Sequence, residues 1–234
     1  MTLQEVLKEL EALADPEIIA MKAKRFGIVS HHALGITLKD VKALAKRIGT
    51  NDELALALFD TGIYEARLLC SKLCTPSAIT EALMEKWVQS FENWEICDSF
   101  CMGFFVKSRF AIPKVMEWSK RVPEFEKRAA FAMMAAYSFA HKKAENEVFE
   151  QFFPIIIREA NDDRIYVKKA VNWALRNIGK RNVDLHQGAI EVAEEILALD
   201  TRAAKWIAKD ALRQLTKPNV NILDYPRSMY RKHG

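Results

Sequence analysis

The chain has 234 residues, half of them hydrophobic and 28% charged, with a formal net charge of +4. That is enough chain for one large core or one continuous repeat array, and the balance is that of an ordinary globular protein. Eight glycines and seven prolines are too few turn formers for an all-β fold, no apolar run reaches the roughly 18 residues that span a bilayer, and a mildly basic charge alone says little about nucleic acid.

The first element runs from Thr2 to Leu13, an amphipathic helix rather than a signal peptide, since no uninterrupted apolar core follows a basic end. A cytoplasmic location is expected. Pro16 opens the second helix at its first turn. Leu34-Gly35-Ile36-Thr37-Leu38-Lys39-Asp40 is a restart, with Thr37 as the cap and Asp40 completing a capping box. Gly49 closes that helix, Asn51 or Asp52 opens the next, and Thr61-Gly62 ends it. Pro76-Ser77 introduces a segment ending in Trp87. Later breaks fall near Glu92-Asn93, Pro113, Pro123, Lys142-Lys143, Asn161-Asp162, Asn182-Val183 and Asp200-Thr201. Between these breaks apolar residues recur at three and four, and no segment alternates as a strand does. Helix pairs recurring every ~35 to 45 residues predict an all-α, HEAT-like helical-repeat solenoid with a concave basic cleft. Residues 1–217 form this repeat domain, and 218–234 read as a basic, flexible tail ending in Arg231-Lys232-His233-Gly234.

The four cysteines, Cys70 with Cys74 and Cys97 with Cys101, share helix faces in pairs. Two such pairs have a composition that zinc accepts, yet their flanks (Leu68, Leu69, Leu73, Phe100) assign them to the core. His31 and His32 fall in a loop, and neither they nor the other histidines have ligand spacing. Neither a metal nor a cofactor is expected. No phosphate-binding loop, dinucleotide fingerprint or nucleophile elbow is present.

Two helical segments carry aromatic and ionisable residues off their apolar stripes. In the later one, Val167, Ala170, Val171, Ala174, Leu175 and Ile178 mark the buried face, while Trp173 shares a row with Lys169, Arg176 and Lys180. In the earlier one, Trp94 and Asp98 are one turn apart on a common face. Trp87, Trp118 and Trp206 are assigned to packing, and Tyr166 lies beside the basic helix. Cations crowd the second half: Lys120, Arg121, Lys127, Arg128, Lys142, Lys143, Lys168, Lys169, Arg176, Lys180 and Arg181. Each alone reads as a solvated helix face. Together with two off-stripe tryptophans they favour nucleic acid, whose phosphates need charges spread over distance.

Three blocks carry a family resemblance: Asn93-Trp94-Glu95-Ile96-Cys97-Asp98-Ser99, Lys127-Arg128-Ala129-Ala130, and Val167-Lys168-Lys169-Ala170-Val171-Asn172-Trp173-Ala174-Leu175-Arg176. In order and spacing they resemble the signature blocks of the DNA alkylation repair family, the HEAT-like alkylpurine DNA glycosylases of the AlkD type. The likeness extends to about Leu215. It implies that Trp94, Asp98 and Trp173 line the cleft as catalytic residues, and that Arg128 and Arg176 hold the DNA backbone; Lys169 and Lys180, in a row with Arg176, are expected to bind DNA with them. The implied substrate is double-stranded DNA with N3- or N7-alkylated purines, taken by a monomer with no base-flipping pocket. The chemistry agrees. A cationic base already leaves readily, so one carboxylate that stabilises the oxocarbenium-like sugar can suffice where ordinary glycoside hydrolysis uses two. A non-catalytic helical module that binds branched or damaged DNA, or a protein, is the alternative. One departure from the family is the charged pair Glu65 and Arg67, expected to form a local or inter-helix ion pair.

Overall fold

A computed structural model describes Met1–Arg227, and every regular element among these residues is helical. Inter-residue contacts divide the chain into two compact units, Met1–Phe110 and Ala111–Gly234.

The first unit comprises α1 (Leu3–Ala12), α2 (Pro16–Phe26), α3 (Leu38–Ile48), α4 (Asp52–Asp60), α5 (Tyr64–Leu73), α6 (Glu81–Val88) and α7 (Trp94–Gly103), with short 3-10 turns at Pro76–Ala78 and Phe105–Lys107. Its helix starts follow from side-chain chemistry. Asp15 caps α2 with Pro16 in the first turn, and Asn51 caps α4. Thr37 caps α3 as expected, but Asp40 does not reach back to the Thr37 amide. Its carboxylate instead accepts from the Thr37 hydroxyl at 2.5 Å. The reciprocal capping box is formed by Thr2 and Glu5, where the Thr2 amide donates to Glu5 Oε2 at 2.8 Å. The core is a cluster of rings around Trp87, with Phe59, Phe100 and Phe104 each 5.4–5.5 Å from its centroid. All four cysteines are buried, so they pack as small apolar groups, and burial pushes the Cys74 thiol up to about 12.

Glu65 and Arg67 do not pair with each other. Glu65 is fully buried, and its carboxylate accepts three backbone amides of the α2–α3 loop: Leu34 at 2.8 Å, Gly35 at 3.0 Å and Ile36 at 3.1 Å. Gly35 is obligatory in that loop. Its φ is +84°, and a Cβ would stand 1.9 Å from the Asp15 carbonyl oxygen. Arg67 donates to the Ser90 carbonyl at 2.7 Å, pairs with Glu92 at 3.3 Å and lies over the Phe59 ring. The two charges thus fix two different loops, which a spacing of two residues on a helix favours because they point to different sides.

The second unit comprises α8 (Ala111–Trp118), α9 (Glu124–Ala140), α10 (Glu147–Glu150), α11 (Phe153–Arg158), α12 (Ile165–Ile178), α13 (Val183–Ala198) and α14 (Arg202–Leu215). α9, α12 and α14 begin at residues 124, 165 and 202, the spacing expected of helix-pair repeats. They lie side by side and parallel. Arg128 near the start of α9 reaches the Tyr166 carbonyl at the start of α12, and Arg176 near the end of α12 reaches Gln214 near the end of α14. Arg181, expected among the phosphate-binding cations, is instead fully buried. It donates to the carbonyls of Ser138 and His141 at the end of α9 and stacks over Phe149. Desolvation lowers its guanidinium to about 10.

The described part of the tail is tied down. The Leu223 and Tyr225 amides donate to the carbonyls of Lys180 (2.7 Å) and Arg181 (2.8 Å), and Asn182 Nδ2 donates to the Tyr225 carbonyl. The basic end at Arg231-Lys232-His233-Gly234 lies outside the described residues.

Candidate nucleic-acid interface

In the first unit the block from Asn93 to Ser99 forms the start of α7, and its members divide by burial. Asn93 is the N-cap: its Oδ1 accepts the amides of Glu95 (3.0 Å) and Ile96 (3.2 Å), and its Nδ2 donates to the Val29 carbonyl. Glu95 is buried in an ion pair with Lys22 Nζ at 2.9 Å, and the Tyr64 hydroxyl lies 2.9 Å from the same carboxylate oxygen. Burial first, and Glu95 second, push the Tyr64 hydroxyl well above the usual tyrosine range, so it stays protonated and donates. Ile96, Cys97 and Ser99 are buried as well. The two members left half-buried are Trp94 and Asp98. Trp94 is held in place by its indole N–H, which donates to the Phe26 carbonyl at 3.0 Å. The start of α7 is therefore fixed by a buried polar network, with Trp94 at the first position of the helix and Asp98 one turn further along.

In the second unit α12 divides in the same way. Val167, Ala170, Val171, Ala174, Leu175 and Ile178 are fully buried, as the spacing predicts. Asn172 is buried with them, and its Nδ2 donates to the Ile207 carbonyl at 3.0 Å, which ties α12 to α14. Off this stripe, Lys169 is exposed, and Trp173, Arg176 and Lys180 are half-buried.

The charges on this row crowd one another. Arg176 Nη1 donates to Gln214 Oε1 at 2.6 Å, while its Nε is buried without a hydrogen-bond partner, Asp210 standing 3.7 Å away. Burial lowers the Arg176 guanidinium, and Asp210 only partly opposes this. Lys180 is lowered by burial and then by Arg176 and Lys217. A phosphate beside these groups would relieve both effects, because an anion restores the favoured charged forms.

Other predicted cations are committed within the fold. Lys127 pairs with Glu159 and with Asp162, and Arg121 with Glu117 and Glu126. Arg128 is only 6% exposed, and its Nη1 donates to the Tyr166 carbonyl at 2.7 Å, where it fixes the start of α12. Tyr166 packs against Phe125, with ring centroids 5.4 Å apart.

Trp87 and Trp118 are fully buried, as assigned from the sequence, but Trp206 is not. It is 40% exposed, with Lys168 Nζ 5.4 Å from its ring centroid. The signal was available. Trp206 lies off the apolar stripe of α14 at positions shared with Arg202, Lys209 and Arg213, which is the criterion that singles out Trp173.

Among the described residues no group of histidine, cysteine, aspartate or glutamate has the arrangement of a metal site, and no helix is long and apolar enough to cross a membrane.

The profile of the family described as DNA alkylation repair enzyme matches residues 6–217. No curated protein matches the sequence. Among solved structures, one is of a member of a new family of proteins related to the HEAT-like repeat DNA glycosylases, with affinity for branched DNA structures. It is 22% identical, with 91% of this chain and 95% of that one covered and a TM-score of 0.73. Another is AlkD2 from Streptococcus mutans, 21% identical over 86% of this chain and 99% of that one, with a TM-score of 0.58. At these identities the two structures establish the fold, a HEAT-like helical repeat. Since the family profile spans nearly the whole sequence, the chain belongs to the DNA alkylation repair family.

Proposed function

We propose that the protein is a monofunctional DNA glycosylase that excises N3- and N7-alkylated purines from duplex DNA without a metal or cofactor. One observation carries this reading. Within each tryptophan-bearing block most members are buried, and Trp94, Asp98 and Trp173 keep part of their surface open.

Alkylation at N3 or N7 gives the purine a positive charge, so the C1′–N bond can break with its electron pair leaving on the base, which departs neutral. The deoxyribose becomes an oxocarbenium-like cation. Asp98 stabilises that cation and orients the attacking water, which adds to C1′ and releases a proton to solvent. The ring face of Trp94, one turn from Asp98, attracts such a cation, and the partly open ring of Trp173 has the same capacity, an attraction worth about 0.5–2 kcal/mol for each ring. Lys169, Arg176 and Lys180 meet phosphates, and Arg128, buried at the start of α12, holds that helix in place. Because the leaving group is already activated, the reaction needs no pocket to protonate an extruded base.

The second reading, a DNA-binding module without glycosylase activity, is favoured by the relative whose family has affinity for branched DNA. Release of methylated purines from alkylated duplex DNA, followed chromatographically, separates the two. The glycosylase releases them, and Asp98→Asn does so about 10² to 10³ times more slowly, the usual cost of losing one well-placed electrostatic group. Binding to duplex or branched DNA with no release at any enzyme concentration would establish the second reading.

A further inference from the structure

The row of Lys169, Trp173, Arg176 and Lys180 has a neighbour on the next helix. α14 runs parallel to α12, and its apolar stripe of Ala203, Ala204, Ile207, Ala208, Ala211 and Leu215 is buried. The opposite face carries Arg202, Trp206, Lys209 and Arg213 at helical spacing, continued past the helix end by Lys217. Three side chains of α12 keep the two rows in register. Lys168 meets Trp206, Asn172 meets the backbone of Ile207, and Arg176 meets Gln214 and Asp210.

Trp206 stands in the middle of this face with 40% of its surface open, beside a shallow depression lined by Lys205, Lys209, Asp210 and Arg213. Lys168 from α12 sits against the ring and holds it. Acidic partners on this face are few. Asp200 takes Lys205 at 2.5 Å, and Asp210 is shared between Arg213 and Arg176. Among the described residues Arg202, Lys209 and Lys217 have no carboxylate within ion-pair distance, so the face keeps a net positive charge.

A flat apolar ring framed by more cations than carboxylates matches a ligand with flat apolar faces on a polyanionic chain. That ligand is nucleic acid. An intact duplex hides its base faces in the stack and offers phosphates only, whereas an unpaired nucleotide offers both, and base–aromatic stacking then adds to the phosphate contacts. We propose that Trp206, with Lys168, Arg202, Lys209 and Arg213, is a stacking platform for an unpaired nucleotide of DNA, the indole taking the base and the cations taking the flanking phosphates. This rests on the DNA-binding reading above and adds to it a preference for duplexes that end, gap or branch near the bound site.

The test compares the full chain's affinity, by fluorescence anisotropy, for a blunt duplex and for the same duplex with a short single-stranded overhang. The wild type should prefer the overhang by about ten-fold, the scale of one stacked base. Trp206→Ala should lose that preference while keeping its blunt-duplex affinity and its rate of methylpurine release. Trp206→Phe, which retains a stacking face, should keep most of the preference. Equal binding of both DNAs by the wild type, an unchanged preference in Trp206→Ala, or failure to bind either DNA would overturn the platform. A wild type that prefers the overhang through Trp206 but releases no alkylated purine leaves the platform standing and removes the glycosylase. The reverse pattern, release without preference, removes the platform alone.

Discussion

Replacing Glu65 with glutamine tests the claim that this carboxylate, rather than an ion pair with Arg67, holds the α2–α3 loop. Glu65 Oε2 accepts the Leu34 amide at 2.8 Å, and Oε1 accepts those of Gly35 and Ile36 at 3.0 and 3.1 Å. A carboxamide has one oxygen. Whichever way it turns, its NH2 faces at least one backbone N–H, at the least the part-buried Leu34 amide, and that donor loses its acceptor. An orphaned donor costs about 1–3 kcal/mol, and each remaining bond falls from the charged class (about 1.5–3 kcal/mol) to the neutral class (about 0.5–1.5 kcal/mol). Relief of the buried charge offsets part of this, which leaves a net loss of about 3 kcal/mol. The loop cannot shift to recover the bonds, since Gly35 is wedged against the Asp15 carbonyl. Urea unfolding should show a lower midpoint with an unchanged slope. A loss below about 1 kcal/mol would refute the reasoning, because it would mean that the three amides find other acceptors at little cost.

Three further outcomes are expected. Lys169→Ala with Lys180→Ala should flatten the log–log salt dependence of DNA binding by close to about one unit for each phosphate no longer neutralised, for damaged and undamaged duplex alike, and an unchanged slope would place both residues outside the interface. Trp173→Ala should weaken binding to alkylated duplex and also slow base release, as the proposed contact of its ring with the cation requires; a normal rate in single-turnover assays would remove it from the reaction. Lys72→Met should stabilise the protein. Burial, then Lys42, lower the Lys72 ammonium to about 8, with Lys107 adding to this and Glu95 opposing it in part, so the wild type bears a penalty in full below pH 8 that fades as pH rises through the ordinary lysine range. The variant should gain about 1–3 kcal/mol at pH 7 after allowance for partial exposure, and should lose the rise in stability between about pH 8 and 10. A chemical-denaturation series across that range checks both.

The sequence by itself determined the helical class, most helix starts and the buried face of α12, because these depend on local chemistry. A capping side chain binds amides two or three residues away, and an apolar stripe is read from 3.6-residue spacing alone. It also set apart Trp94, Asp98 and Trp173, since a residue off the stripe of an amphipathic helix is left partly open whatever the neighbours are. Which cations remain available was decided only by tertiary structure. Lys127, Arg128 and Arg181 look like Lys169 in the sequence, yet the first meets Glu159 and Asp162, the second meets the Tyr166 carbonyl, and the third is buried against the end of α9. The roles of Glu65 and Arg67 were equally hidden, their partners lying about 30 and 25 residues away in chain order. Long flexible side chains find partners through space, and the energy of a buried charge is set by whatever the fold places within about 4 Å of it. Periodicity along the chain carries no record of that.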